Sequence, residues 1–286
     1  MLLSFNTLAY CDKTIKEILE RAVKFKFEGV ELKGGTRGRV KAAEEHVYPE
    51  MSPKIRELIK DLFSGYNVDI SCVSAYTSFS DPNPVERENN VKTLDAYVDL
   101  AVDLGCERVR TFGSGGRAGV LYPDFASMSK VVADSLKKCG AYAQDRGVTI
   151  CLETHDEFNT GAKVRRVIDE VDSPALKANY DVSHPALVHE PLEETMRHLR
   201  GCIDFVHFKD VKRTIRKDGS EGHELVLLGE GIVDAKAILI ELKKMGYDGY
   251  LSLEWEKLWM PSIPDSDVAV EQFGRRVREI LKELKA

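Results

Sequence analysis

The chain is poor in most of the features that mark a specialised protein. Its six cysteines (Cys11, Cys72, Cys106, Cys139, Cys151 and Cys202) are scattered, and none forms a C-x-x-C pair. That argues against a disulfide framework and for free thiols in a reducing compartment. No apolar run reaches the length of a membrane span. The opening MLLSFNTLAY lacks the basic region and long apolar stretch of a secretory signal, so a cytoplasmic protein is expected. There is no low-complexity segment and no Pro/Gly/Ser-rich linker to divide the chain. Excess positive charge is missing too: the net charge is −6. That balance argues against broad binding to nucleic acid or to an anionic membrane.

What is present is an ordinary globular composition, 43% hydrophobic and 31% charged over 286 residues, with a regular alternation of patterns. Short apolar runs read as strands at residues 2–5, 29–32, 68–73, 108–112, 149–153, 177–181, 204–208 and 250–254. Helical periodicity fills the intervals, from KTIKEILERAVKF to a final VAVEQFGRRVREILKEL. Ser52 and Pro53 suit the start of one helix, and glycines suit the ends of two others. Strands alternating with helices imply parallel pairing through helical crossovers. Eight such units in 286 residues predict a single (β/α)8 TIM barrel domain spanning residues 1–286. A doubly wound open sheet is the runner-up. Its dinucleotide-binding form is weakened because no G-x-G-x-x-G follows the first strand.

In an α/β barrel the chemistry sits at the C-terminal strand ends. The last strand, YLSLEWE, carries Glu254 at the end of an apolar run, and an unpaired buried charge costs several kcal/mol or more. The preceding strands end alike: TICLE with Glu153, KANYD with Asp181 followed by His184, and DFVHF with His207. Strand residues two apart share a face. Glu153 then lies with Cys151, Asp181 with Asn179 and Glu254 with Ser252, whereas the large apolar residues take the opposite face. A lone glutamate at a strand end is ordinarily salt-bridged or solvated. Four metal-competent groups on consecutive strands instead predict convergence on the barrel axis. Three carboxylates there would repel one another, and a divalent cation removes the conflict. The set Glu153, Asp181, His207 and Glu254 is hard and mostly oxygen-based. It suits Mn²⁺ best, with Mg²⁺, Co²⁺, Zn²⁺ or Fe²⁺ as alternatives.

The succession L-E-T-H, Y-D-V-S-H, V-H-F-K-D, L-G-E-G-I-V-D and L-S-L-E-W-E resembles the xylose-isomerase-like barrel superfamily, within it the sugar (phosphate) isomerase/epimerase group. The likeness is strongest over residues 148–256. It implies a homo-oligomeric enzyme whose four ligands hold one divalent metal, with Glu153 and Glu254 as the acid/base pair. It also implies substrate contacts from His184, three residues after Asp181, and from Arg213, six after His207. One departure is Asn159, where the ketose 3-epimerases carry a further glutamate. Glu157 is close but out of register.

The implied reaction is isomerisation or epimerisation of a sugar or related polyol ketone, by glutamate-mediated proton transfer through a metal-stabilised enediolate. The alternative is a metal-dependent dehydratase of a ketocyclitol or dehydroshikimate-like substrate, which begins with the same proton abstraction. A remote alternative is an apurinic endonuclease. That reading lacks its additional histidines at strands three and four, and the acidic balance disfavours DNA. A non-catalytic sugar-binding protein would need no paired glutamates. Among other residues, His155 shares a face with Glu153, and Lys209 shares one with His207. Both are candidates for contact with substrate, against ordinary roles as a loop histidine and an ion-paired lysine. Trp259 offers a ring for stacking on a sugar, or a core or dimer contact. The long loops GGTRGRVKAAEEHVYPE and GSGGRAGVLYPD are candidate walls or lids.

Overall fold

In a computed structural model that describes residues 1–35, 46–116, 121–216 and 218–284, eight parallel strands close into a barrel. They are β1 (Leu2–Asn6), β2 (Gly29–Lys33), β3 (Asp69–Ser74), β4 (Arg108–Thr111), β5 (Thr149–Glu153), β6 (Leu176–Asp181), β7 (Ile203–Phe208) and β10 (Tyr250–Leu253). Closure is made by β1, which pairs with β2 on one side and with β10 on the other. The crossovers are α1 (Ile15–Phe25), α2 (Pro53–Tyr66), α3 (Pro84–Leu104), α4 (Phe125–Gln144), α5 (Gly161–Val171), the pair α6 (Ser183–Leu187) and α7 (Leu192–Leu199), α8 (Ala235–Lys244) and the closing α9 (Ser266–Glu283). The barrel expected from the alternation is therefore the one observed.

Two elements were not expected. After β7 an antiparallel hairpin, β8 (Asp210–Ile215) and β9 (Glu221–Val226), extends from the barrel. After β6 the chain makes the single-turn α6, which carries His184 in its first turn.

Local chemistry sets the helix ends. Thr14 and Glu17 form a reciprocal capping box at the start of α1. The C-cap of α3 is Gly105 at φ +74°, a left-handed position where glycine carries no Cβ penalty. Ser52 does occupy the N-cap of α2 before Pro53, but its side chain makes no cap hydrogen bond.

The apolar residues divide as the two-residue period requires. Ile150, Leu152, Val206, Phe208, Leu251 and Leu253 join the large core between strands and helices. Inside the barrel a small separate cluster of Cys72, Cys151, Phe205 and Tyr250 forms a floor. None of the six cysteines is joined in a disulfide. Among the described residues no helix is long and apolar enough to cross a membrane. Of the two long loops, residues 36–45 and 117–120 lie outside the described residues.

Candidate metal centre

The register of four strands brings the expected ligands together. Asp181 on β6 and His207 on β7 are direct pairing partners, and His207 is also opposite Ser252 of β10. Glu153 ends β5 opposite Asn179, and Glu254 follows β10, its N–H donating to the Phe208 carbonyl at 3.1 Å. Glu153, Asp181 and His207 are fully buried and Glu254 is 5% exposed. One donor atom of each lies within 4.8 Å of every other. His207 Nδ1 is 3.2 Å from Glu153 Oε1 and 3.6 Å from Glu254 Oε1. Asp181 Oδ1 accepts from the Ser183 N–H and hydroxyl at 2.8 and 2.7 Å, which turns Oδ2 toward the cluster.

Two side chains supply positive charge. Lys209 Nζ lies 2.9 Å from Asp181 Oδ2, 2.5 Å from Glu254 Oε2 and 2.9 Å from Glu256 Oε1. Burial alone would lower its pKa, but these carboxylates hold it well above the ordinary lysine value. From β4, Arg110 brings Nε to 3.1 Å from Glu153 Oε2 and Nη2 to 3.8 Å from Glu254 Oε1. Its guanidinium packs 4.2 Å from the centre of the Phe112 ring and 4.8 Å from that of Tyr76. Burial pushes the Glu254 carboxyl up, but Lys209, His207 and Arg110 together hold it well below the usual range.

The residues expected to meet substrate divide into two groups. His155 and His184 pack against each other with ring centres 4.3 Å apart and planes tilted by 52°, beside Glu153 and Asp181. Burial pushes the pKa of His184 down to about 3, the nearby Asp181 carboxylate notwithstanding, so its imidazole is neutral at pH 7. Arg213, by contrast, is exposed on β8, where it donates to His189 Nε2 at 2.6 Å and to the Ala186 carbonyl at 2.8 Å. Its recorded contacts are with the chain around α6, not with the buried cluster. Glu157 accepts from the Ser114 hydroxyl, and Asn159 accepts from Lys163 Nζ at 2.9 Å. Trp259 is 53% exposed, which excludes a core role.

Residues 19–278 match the family described as xylose isomerase-like TIM barrel. The chain belongs to that family. Among curated relatives it is 25% identical to the 3-dehydroshikimate dehydratase of Bacillus anthracis over 281 residues, 93% of this chain and 88% of that protein. It is 22% identical to the inosose dehydratase of Geobacillus kaustophilus over 218 residues, covering 67% and 69% of the two chains. In fold it is similar to a D-tagatose 3-epimerase-like protein, with a TM-score of 0.76 at 20% identity over the whole of both chains. It is also similar to a xylose isomerase-like barrel protein of Mycobacterium smegmatis solved with magnesium, with a TM-score of 0.73 at 17% identity over 100% and 98% of the chains. The two curated relatives are dehydratases, and the first of the two structures is of an epimerase-like protein.

The barrel's own charges fit a divalent ion. Among the buried groups that are or touch the four donors, the carboxylates of Glu31, Glu153, Asp181 and Glu254 face two permanent cations, Arg110 and Lys209, with the partly exposed Glu256 sharing Lys209 from outside. With His207 neutral, two negative charges remain, which is the charge that one divalent cation balances. Without an ion the deficit falls on His207. Burial lowers its pKa, but Glu31, Glu254 and Glu153 drive it well above the ordinary value. Glu153 Oε2 and Asp181 Oδ2 are buried and make no well-aligned hydrogen bond among the described residues, their contacts being the ion pairs to Arg110 at 3.1 Å and Lys209 at 2.9 Å. Three carboxylates and one imidazole make a hard, mostly oxygen donor set. A second donor group, Glu153 with His155 and His184, shares one member with the first.

Two residues of this centre were not among the sequence candidates, Glu31 and Arg110. Both lie on the inward parity of their strands, GVELK and RVRT. The signal that singles out Glu254, a charge in an apolar run, is present at Glu31, between Val30 and Leu32, but not at Arg110, where Val109 is the one apolar residue of RVRT. They were missed because neither stands at a strand's last position among the second four units.

Proposed function

We propose that the chain is a divalent-metal-dependent isomerase or epimerase of a small sugar or related polyol ketone, with Mn²⁺ as its ion. The observation that carries this reading is the pair Glu153 and Glu254, two buried carboxylates flanking one imidazole nitrogen at 3.2 and 3.6 Å. Glu153, Asp181, His207 and Glu254 hold the ion. When bound, it supplies Lewis-acid stabilisation of the negative charge that develops on the substrate oxygen. One glutamate takes the proton from the carbon beside the carbonyl. The other returns a proton to the opposite face, giving an epimer, or to the neighbouring carbon, giving an isomer. Lys209 offsets the growing charge, and the neighbouring His155 and His184 bond the substrate's hydroxyls. Arg213, on the β8 strand of the hairpin, is assigned to the substrate's outer side.

A second reading, dehydration of a cyclic hydroxy ketone, is supported by the two dehydratase relatives, one aligned over 93% of this chain. Both readings start with the same proton abstraction and part at the next bond. The test is incubation of manganese-loaded protein in D₂O with ketohexoses, inososes and 3-dehydroshikimate, followed by NMR and mass spectrometry. Deuterium at the carbon beside the carbonyl with an otherwise conserved mass supports the epimerase. Loss of water with a new conjugated absorbance moves the assignment to the dehydratase. No exchange with any ketone would overturn both.

A further inference from the structure

Glu31 is fully buried on β2, across the barrel from β7, and outside the group of mutually close donors. Its two oxygens face the other nitrogen of the candidate ligand histidine. His207 Nε2 is 2.9 Å from Oε1 and 3.0 Å from Oε2. Each oxygen is itself fixed, Oε1 by the Ser74 hydroxyl and Oε2 by the Ser252 hydroxyl at 2.7 Å. Both serines are fully buried. On the ring's flank, Phe205 lies edge-on with its centre 5.7 Å away and a tilt of 75°.

We infer that Glu31 is a positioning residue that keeps the proton of His207 on Nε2 and so presents Nδ1, the less usual nitrogen, to the ion. This rests on the reading of Glu153, Asp181, His207 and Glu254 as a divalent-ion site. The argument is one of donors and acceptors. An ionised carboxylate only accepts, so the ring nitrogen it faces must carry hydrogen. Nδ1 also faces a carboxylate, Glu153 Oε1 at 3.2 Å, but an ion held by the four donors would take the place of its proton, whereas Glu31 lies outside that donor group and keeps the proton on Nε2. The other tautomer would set a lone pair against the Glu31 carboxylate and aim an N–H at the ion, and a ring flip would put carbon in place of both nitrogens. Partners of this kind fix both tautomer and ring orientation, and their loss typically weakens metal binding by about 10- to 100-fold.

The test uses chelator-stripped full-length protein reloaded with Zn²⁺, which is diamagnetic. Long-range ¹H–¹⁵N spectra of ¹⁵N-histidine protein, assigned by loss of the His207 signal in His207→Gln, report the tautomer and the coordinating nitrogen. We expect an Nε2–H tautomer with Zn²⁺ on Nδ1. Zinc titrations of Glu31→Gln should show a 10- to 100-fold weaker affinity. A residue needed only for folding would shift the unfolding midpoint and leave the affinity of the folded protein unchanged. If Glu31→Gln does not fold, the wild-type spectrum alone decides, and Ser252→Ala, which loosens one Glu31 oxygen, provides the graded variant. Zinc on Nε2, or an unchanged affinity in folded Glu31→Gln, overturns the inference and leaves the metal site standing. No zinc bound by the wild type overturns the metal reading, and the inference with it.

Discussion

Asp210→Asn is expected to cost far more stability than its near-identical shape suggests. Asp210 begins β8 and is buried, and its carboxylate accepts four backbone N–H groups. Oδ1 takes those of Val211 at 2.9 Å and Val233 at 3.0 Å, and Oδ2 takes those of Gly229 and Gly231, both at 2.9 Å. Asparagine retains one acceptor oxygen and turns an NH₂ toward the other pair. Two N–H donors then lose their acceptor, at about 1–3 kcal/mol each, so about 2–6 kcal/mol in total. At about 2 °C per kcal/mol for a chain of this length, the thermal midpoint should fall by about 4–12 °C. Urea unfolding at pH 7 gives the free energy, and hydrogen exchange of the Gly229 and Gly231 amides locates it. A loss below about 1 kcal/mol, or unchanged protection of those amides, would refute the reasoning. Gly231→Ala should act at the same point, because an added Cβ would stand 2.2 Å from Asp210 Oδ1 and 2.4 Å from the Val211 carbonyl. The two variants should therefore be strongly non-additive.

Glu254→Gln should lower turnover by about 10²–10⁴-fold, measured with whichever ketone shows exchange. Its unfolding free energy should change by less than about 2 kcal/mol, because Lys209 keeps Asp181 and Glu256 as partners. Arg110→Met leaves Glu153 Oε2 without its cation and should destabilise the metal-free protein by about 3–5 kcal/mol in urea unfolding, a loss that saturating Mn²⁺ should partly restore. Asp267 accepts from Tyr10 Oη at 2.8 Å and Arg21 Nε at 2.9 Å. Burial pushes its pKa up, but these partners bring it below the usual value. A depressed carboxylate stabilises above its unfolded pKa, near about 3.9, and loses that contribution as pH falls through the folded value. Asp267→Asn should thus cost about 1 kcal/mol at pH 7, a modest figure because the side chain is 35% exposed, and the difference should vanish in acid below the folded pKa.

The barrel was legible because its signal is repeated. Each strand buries both faces, so GVELK, TICLE and YLSL read as apolar runs whatever their exact ends, and the observed bounds differ from the expected ones by a residue or two. The β8–β9 hairpin was not read as one because it is largely solvated. Lys212, Arg213, Glu221, His223 and Glu224 are exposed, which broke the apolar pattern, although Asp218 and Gly219 mark its turn. The convergence of Glu153, Asp181, His207 and Glu254 followed from local parity and was legible. That of Glu31 on His207 was not, because their pairing spans 176 positions and is set by how the barrel closes. The motif L-G-E-G-I-V-D, quoted for its likeness to a family, has a mechanical explanation as well. It carries the backbone donors that Asp210 of V-H-F-K-D gathers.

The centre divides the chain in two at the turn around Gly147. Among the described residues the four clustered donors all come from the half after it, on β5, β6, β7 and the end of β10. The half before it contributes Glu31 and Arg110, which touch the donors but are not among them. One half thus names the ion and the other sets its angles and its field. Grafting the first half of a related barrel onto the segment from Gly147 onward would retune the centre without altering one donor. A chain cut at that turn should bind metal well only when the two pieces are mixed.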